Sequence, residues 1–217
     1  MNTKVPHPIK GNFWKSGNEV QLRSLSNGLI NETWVATNLQ SGEKVLLQKI
    51  NTSVFPEPTQ VVNNHFIIWE HWEKLNSELN FQIAKPLAFS NGEFTITDDN
   101  KKVWRIQEYF AAVKCFERCS SVEQIFQTAH SFGQFNKFLW KIPASKIKPT
   151  IQQFHDLEFR FKQFLSALQV GDNTRLKKAK EIIDTLLVRE KYIHQYKSIS
   201  SEPIKFPLRL YHHDTKI

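Results

Sequence analysis

Polar and apolar residues alternate along several short stretches of the chain, most of them in its first half. These stretches are residues 19–25, 32–39, 44–50, 81–89, 93–97 and 103–109. Turn sequences separate them, such as Ser26-Asn27-Gly28, Gln40-Ser41-Gly42 and Ser90-Asn91-Gly92. A period of two residues bounded by such turns predicts β-strands that are joined by hairpins.

Apolar residues recur at three- and four-residue steps in the other long stretches, which predicts amphipathic helices. One such stretch, 58–79, lies among the strands, and three more follow at 121–140, 154–168 and 173–196. Ser120-Ser121, followed by Glu123 and Gln124, predicts the start of the second stretch, since a Ser oxygen can accept from an unpaired amide there. Strands with one inserted helix, followed by a helical half, predict an α+β fold with segregated lobes. We place the boundary between the lobes near residues 110–116 and expect residues 208–211 to be extended.

Composition supports a folded chain without a membrane span. The chain has 217 residues, of which 40% are hydrophobic and 12% aromatic, and this content requires a packed core. No apolar run approaches the roughly 18 residues of a transmembrane helix, and the polar start is unlike a signal peptide. Cys115 and Cys119 are too few for a disulfide framework or a zinc site, so both are interpreted as thiols of a cytoplasmic protein.

The net charge of +8 favours an anionic partner. Nucleic acid, anionic lipid and a phosphate-bearing small molecule all fit that description. The basic cluster Arg175, Lys177, Lys178 and Lys180 precedes Glu181 and Asp184 in a helical segment, which is typical of a solvated helix face. No nucleic-acid-binding motif is recognisable, so we expect no nucleic-acid partner and no membrane partner.

The last residues carry the most specific chemistry. His212 and Asp214 are one residue apart, and Lys216 follows two positions later. Phosphoryl transfer needs an Asp that orients the attacking hydroxyl and a cation that offsets charge on the phosphoryl group. The alternative interpretation is a surface Asp in a polar tail.

Further segments match one family in the same order along the chain. They are G-L-I-N-E-T at 28–33, V-L-L-Q-K-I-N at 45–51, W-R-I-Q-E-Y-F at 104–110, the A-x-x-F-G-x-F-like stretch 129–138, F-H-D at 154–156 with Arg160, and the His212 to Lys216 motif. Together they resemble the aminoglycoside phosphotransferase and choline kinase superfamily, which has a protein-kinase-like fold. The branch that contains bacterial N-acetylhexosamine 1-kinases is the most similar. The resemblance spans roughly residues 19–217.

The resemblance implies an ATP-dependent, Mg²⁺-dependent phosphotransferase that acts on a hydroxyl of a small molecule, such as the sugar N-acetylhexosamine. It implies a bilobal fold with an N-terminal extension at 1–18, a nucleotide-binding N-lobe at 19–110 and a partial helical C-lobe at 111–217. Asp214 would face the substrate hydroxyl, Lys216 would approach the γ-phosphate, and His212 would brace the catalytic loop.

The resemblance also assigns the binding residues. The nucleotide-binding set is Gly28, Asn31, Thr33, Lys49, Gln107, Glu108, Tyr109 and Phe110, and the substrate-binding set is His155, Asp156 and Arg160. Each set has a structural alternative. The first would be a hairpin turn and an interlobe linker, and the second a capped helix start with a surface arginine.

The third strand leaves one assignment open. Kinase-like folds present a lysine there to the α- and β-phosphates, and the equivalent place holds Gln48 beside Lys49. Successive strand residues face opposite sides, so only one of the two can point into the cleft. We favour Lys49, with Glu70 or Glu73 as an acidic partner, although solvent exposure is the expected state of both glutamates.

The family motif also requires an Asn five residues after Asp214 and a later Asp, which carry Mg²⁺. Both would fall beyond residue 217, so no metal ligand is assigned in this sequence. We expect a fragment of a longer enzyme, a shortened reading frame or a protein that has lost catalysis, with an uncovered apolar face that favours self-association. A non-catalytic nucleotide- or sugar-binding module and a basic nucleic-acid-binding protein are the alternatives.

Overall fold

The computed structural model describes residues 19–25, 30–114, 116, 118–202 and 205–212. Within these ranges the chain is α+β, with six strands in one antiparallel sheet and six α-helices, which confirms the predicted class. The described residues form two compact units. The sheet unit contains residues up to 150 together with 209–212, and the helical unit contains residues from 151 to 208. The lobe boundaries given above stay a prediction.

The sheet has the order β1-β2-β3-β6-β4, and β5 pairs with β6. Its strands are β1 (Val20–Leu25), β2 (Glu32–Asn38), β3 (Lys44–Ile50), β4 (Pro86–Leu87), β5 (Ile96–Thr97) and β6 (Val103–Glu108). The turns at Gly42 and Gly92 are confirmed, and both glycines have a positive φ, of 75° and 86°. In such turns a glycine avoids the clash that a Cβ would cause.

The strands predicted at 81–89 and 93–97 are each only two residues long, because irregular backbone and turns occupy the rest. Pro86 has no N–H with which to extend a ladder. Phe89 N donates to Glu93 O at 2.8 Å, which closes a tight turn. The carboxylate of Asp98 accepts from the backbone nitrogens of Asn100 and Lys102, both at 2.9 Å, so the chain turns directly after β5.

Two helices belong to the sheet unit, and their ends follow from local chemistry. Helix α1 (Pro58–Glu73) starts at a proline, whose missing N–H costs nothing at a helix start. It is shorter than predicted, because a 3₁₀ turn (Asn76–Glu78) follows it. Helix α2 (Val122–Leu139) begins after Ser121, whose Oγ accepts from Gln124 N at 3.2 Å, as the sequence predicted.

The core of the sheet lies on one of its faces. Buried side chains from β2, β3 and β6, together with Phe89, form this core: Trp34, Ala36, Val45, Leu47, Trp104 and Ile106. The rings of Trp34 and Trp104 are 5.3 Å apart. The indole N–H of Trp104 donates to the buried carboxylate of Asp98 at 2.8 Å, which satisfies both polar groups away from water.

A second core joins α1 and α2. Phe138 and Leu139 of α2 are buried together with Ile142, and the ring of Phe81 packs edge-on against Phe138 at 5.6 Å. Trp72 of α1 donates its indole N–H to Phe81 O at 2.9 Å. The segment after α1 is therefore held between the two helices although it forms no strand.

The helical unit contains α3 (Leu157–Val170), α4 (Asn173–Lys178), α5 (Lys180–Leu187) and α6 (Lys191–Ser200). The single helix predicted at 173–196 is wrong, because a turn at Ala179 and another at residues 188–190 divide the segment into three shorter helices. Among the described residues of this unit, Ile193 is the buried apolar side chain, and Val170 is 86% exposed. Self-association through such exposed residues stays a prediction.

Leu47 offers a direct test of the sheet core, because its side chain is fully buried. We expect Leu47→Ala to lower the free energy of unfolding by about 2–5 kcal/mol, through lost burial and a residual cavity. Urea titration followed by tryptophan fluorescence measures this change. The matched control is Leu39→Ala, at a half-exposed position just after β2, which should change stability by less than about 0.5 kcal/mol. Equal losses in the two variants would contradict the assigned core.

Candidate functional site

A row of polar side chains crosses the face of the sheet opposite the tryptophan core. Thr33 of β2 lies opposite Gln48 of β3, and Gln48 lies opposite Arg105 of β6. Because side chains alternate along a strand, these three residues share one face, whereas Trp34, Leu47 and Trp104 share the other. We call Thr33, Gln48 and Arg105 the polar row.

Hydrogen bonds connect the polar row from end to end. Arg105 donates from Nε and Nη2 to the same oxygen, Gln48 Oε1, at 2.9 and 2.7 Å. The amide nitrogen of Gln48 donates to Thr33 Oγ1 at 3.2 Å. The glutamine thus has a fixed orientation, with its oxygen towards the guanidinium and its nitrogen towards the threonine.

Arg105 is a desolvated cation. Burial lowers the pKa of its guanidinium to about 10, which leaves the group charged at neutral pH. In the described part of the chain, no carboxylate forms an ion pair with it. Its side chain is only partly exposed, and a cation that is largely removed from water usually has a charged partner, so an arginine held by an amide alone is unusual.

Helix α1 brings His65 close to this cation. Burial first, and then the charge of Arg105, lowers the pKa of His65 to about 4, while its hydrogen bond to Ala84 O has a smaller, opposite effect. The ring nitrogen Nε2 lies 2.7 Å from that carbonyl oxygen. At neutral pH the ring is therefore uncharged, and Nε2 carries the proton that it donates to Ala84.

Lys49, the predicted phosphate ligand, lies on the opposite face from Gln48. Its ammonium group forms an ion pair with Glu32 and lies 5.9 Å from the centre of the Trp104 ring. Glu70 and Glu73, its suggested partners, are both exposed, as expected. The role of Lys49 in nucleotide binding stays a prediction, but its charge already has a partner.

The start of β2 is tied to the end of β3 by two asparagines. Asn31 Oδ1 accepts from Asn51 N at 2.8 Å, and the side chain of Asn51 donates to Ile30 O at 3.3 Å. Asn31 and Thr33, both predicted to bind nucleotide, therefore lie at this end of the sheet. Gly28, which was predicted to cover the phosphates, is outside the described residues.

The predicted adenine-binding segment is the exit of β6. Glu108 N donates to Lys85 O at 2.9 Å, and Lys85 N donates to Glu108 Oε2 at 3.1 Å, which fastens the end of the strand. Gln107 lies opposite Leu46 of β3, on the same face as the polar row. Tyr109 and Phe110 follow outside the sheet.

The predicted substrate residues lie together at the start of α3. Asp156 Oδ1 accepts from Phe159 N at 2.9 Å and caps the helix, while His155 packs edge-on against Phe154. Arg160 donates to Phe154 O at 3.1 Å, and its guanidinium lies 5.6 Å from the ring of that residue. The capped helix start that the sequence allowed is therefore present, and substrate binding stays a prediction.

The catalytic motif is described only at its first residue. The ring of His212 lies 5.5 Å from that of Phe132 and 5.9 Å from that of Phe135, both on α2. Asp214 and Lys216 lie outside the described residues, as does Cys115. Cys119 is a free thiol.

Two cavities, of about 400 and 270 Å³, lie beside α1. The larger is lined by Phe66 and Phe94 among others, and the smaller by His71 and three lysines. Burial, followed by the charges of Lys141, Lys74 and Lys146, lowers the pKa of His71. Glu70, the suggested acidic partner of Lys49, also lines the smaller cavity.

Sequence reasoning gave no role to Arg105 or His65. Arg105 sits between Trp104 and Ile106, two buried apolar residues of β6, and this alternation indicates only that its side chain lies on the opposite face from theirs. Its partner across the sheet depends on the register of β3 and β6, which are far apart in sequence. His65 carries no comparable signal beyond the apolar period of α1.

The chain matches no protein-family model. Across the described ranges, no three His, Cys, Asp or Glu side chains come close enough together to hold a metal ion. Within the same ranges, none of the helices is both long and apolar enough to cross a bilayer.

The buried His65 makes stability depend on pH. Its folded pKa of about 4 lies below the usual histidine pKa of 6.5, so the unfolded chain binds this proton first as the pH falls. The contribution of His65 to stability is complete above about pH 6.5 and is lost as the pH falls towards 4. The full effect is on the order of 3 kcal/mol.

We expect His65→Gln to flatten the fall in stability between pH 6.5 and 4, because Gln can still donate to Ala84 but does not titrate. Urea midpoints measured at half-unit pH intervals report this slope. His130→Gln, at an exposed position on α2, is the control and should keep the wild-type slope. If the His65→Gln variant keeps the wild-type slope, the ring of His65 in the wild-type protein does not stay neutral over this pH range.

Proposed function

We propose that the protein is an ATP-dependent phosphotransferase of the aminoglycoside phosphotransferase and choline kinase superfamily. Its substrate would be a hydroxyl group on a small molecule, and a sugar such as N-acetylhexosamine is the first candidate. The cytoplasm is the proposed compartment, since ATP is available there. This proposal rests on the ordered sequence resemblance together with the architecture of the sheet unit.

One structural observation carries the proposal. The sheet is antiparallel, the helix α1 is inserted after its third strand, and β6, an inner strand of the sheet, precedes α2 in the chain. This arrangement supports the proposal of a kinase-like N-lobe, in which nucleotide would be held beside the exit of the last strand. The motif-bearing residues Asn31, Thr33 and Gln107 lie on these same strands or directly before them.

In the proposed reaction, Asp214 orients the substrate hydroxyl and accepts its proton, and Lys216 offsets charge on the transferred group. His212, packed against the phenylalanine rings of α2, restrains the backbone just before Asp214. ATP supplies the phosphoryl group. Mg²⁺ belongs to the proposal as the family's cofactor, and the described residues offer no group of side chains that fits it.

Nucleotide binding is the first experiment. We expect millimolar ATP to raise the melting temperature of the 217-residue chain, because a ligand at about 100 times its Kd adds about 2.7 kcal/mol of stability. For a domain of this size, that corresponds to several degrees. Measurements with and without Mg²⁺, and with GTP and adenosine, define which part of the nucleotide is bound.

The matched variant is Asp214→Asn, which should keep the ATP-dependent shift and lose any transfer of radiolabelled phosphate to N-acetylglucosamine or N-acetylgalactosamine. A chain that binds ATP but transfers no phosphate, even when it is extended beyond residue 217, would favour the non-catalytic binding module. No ATP shift, combined with steeply salt-dependent binding to nucleic acid, would overturn the proposal in favour of the basic nucleic-acid-binding protein.

A further inference from the structure

We propose that Arg105, oriented by Gln48, binds the phosphate chain of the nucleotide from β6. It would take the part that a lysine on the third strand plays in other kinase-like folds. The inference rests on the proposed function, and it assigns a phosphate-binding residue that the sequence resemblance did not.

The guanidinium has donors left for a ligand. An arginine carries five N–H groups, and Arg105 uses one on Nε and one on Nη2 for Gln48. No residue in the described ranges accepts from the other three, and Arg105 is only partly buried. The remaining donors form the free end of the fork, and such an end matches two oxygens of a phosphate group.

The surroundings favour an anion over any other ligand. The cation is desolvated and lacks a carboxylate partner among the described residues, so its charge is weakly compensated. His65, the titratable group that α1 brings to it, is neutral above about pH 4 and adds no competing charge. An oxyanion with two acceptors would satisfy both the charge and the unused donors.

Gln48 keeps the guanidinium ready for binding. Its oxygen holds the Nε–Nη2 edge, and its nitrogen is in turn fixed by Thr33, so the arginine side chain has little freedom left to lose. Restricting a side chain before binding lowers the entropic cost of association. The position that carries the lysine in related folds thus contributes here by orienting Arg105 across the sheet.

Lys49 is the competing phosphate ligand, and the structure separates it clearly from Arg105. It is on the other face of the sheet, and Glu32 already compensates its charge. Lys102 is an exposed lysine directly before β6 and has no predicted role, so Arg105→Gln and Lys102→Gln form a matched pair of variants.

The experiment measures binding of ATP, ADP, adenosine and inorganic tripolyphosphate by calorimetry to the wild-type chain and to both variants. We expect Arg105→Gln to weaken ATP and tripolyphosphate binding by about ten- to hundredfold, since it removes charged hydrogen bonds, and to leave adenosine binding unchanged. Lys102→Gln should change each affinity by less than about threefold. Arg105→Lys keeps the charge but loses the forked pair of donors, so it should give an intermediate affinity. This variant replaces Arg105→Gln in the experiment if the glutamine variant does not fold.

The outcomes separate this inference from the proposed function. ATP binding that is unaffected in Arg105→Gln, or weakened equally by the two glutamine variants, overturns the inference and leaves the kinase proposal standing. A wild-type chain that binds tripolyphosphate through Arg105 but shows no preference for ATP supports the anion site and contradicts the kinase proposal. Failure of the wild-type chain to bind any of the phosphate-bearing probes overturns both.

Discussion

The alternation of side chains across β2, β3 and β6 is the constraint on which the rest of the sheet unit depends. Every second residue of these strands enters the tryptophan core, so the residues between them must lie on the other face. Trp34 and Leu47 are buried, and the intervening polar positions align across the sheet as Thr33, Gln48 and Arg105. The location of each polar side chain follows from that of its apolar neighbours.

This constraint gives two neighbouring cations different environments. Lys49 lies at the edge of the tryptophan face, where Glu32 and the solvent both compensate its charge, and such pairs contribute little to stability. Arg105 lies on the face beside α1, where it is desolvated and held by a neutral amide. An amide satisfies hydrogen bonds without neutralising the charge, so the electrostatic potential of the guanidinium persists around it.

The local sequence pattern was sufficient to predict those elements whose stabilising interactions lie within a few residues of one another. The hairpins around Gly42 and Gly92, the start of α1 at Pro58 and the cap at Ser121 all follow from chemistry within a few residues, and the sequence predicted them. The strands predicted at 81–89 and 93–97 are shorter than expected, because Pro86 lacks an N–H and the turn at Asp98 ends β5. Both strands pair with β6, and the local pattern does not show where that pairing stops. The prediction of a single helix after Gly171 was wrong, because the apolar period of the sequence continues through Ala179 whereas the helix is interrupted there.

The candidate site was predictable only in part, for a similar physical reason. Of the polar row, the order of motifs along the chain pointed to Thr33, and nucleotide binding by Asn31, Thr33 and Gln107 stays a prediction. The cap at Asp156 was foreseen as the alternative role for that residue. The bond between Gln48 and Arg105 joins residues 57 positions apart, and it exists only in one register of β3 against β6. No local pattern encodes that pairing, so the sequence left open which residue of β3 faces the cleft.

The same bond has a consequence for how the chain reaches its fold. If β6 paired with β3 one residue out of register, Arg105 would enter the tryptophan core and Trp104 would leave it. A charged group without a partner in an apolar core is among the most costly errors that a sheet can contain. Misaligned pairing of β3 and β6 is therefore unfavourable during folding. Partial burial of Arg105 in the native sheet costs free energy, but its placement in the tryptophan core would cost more.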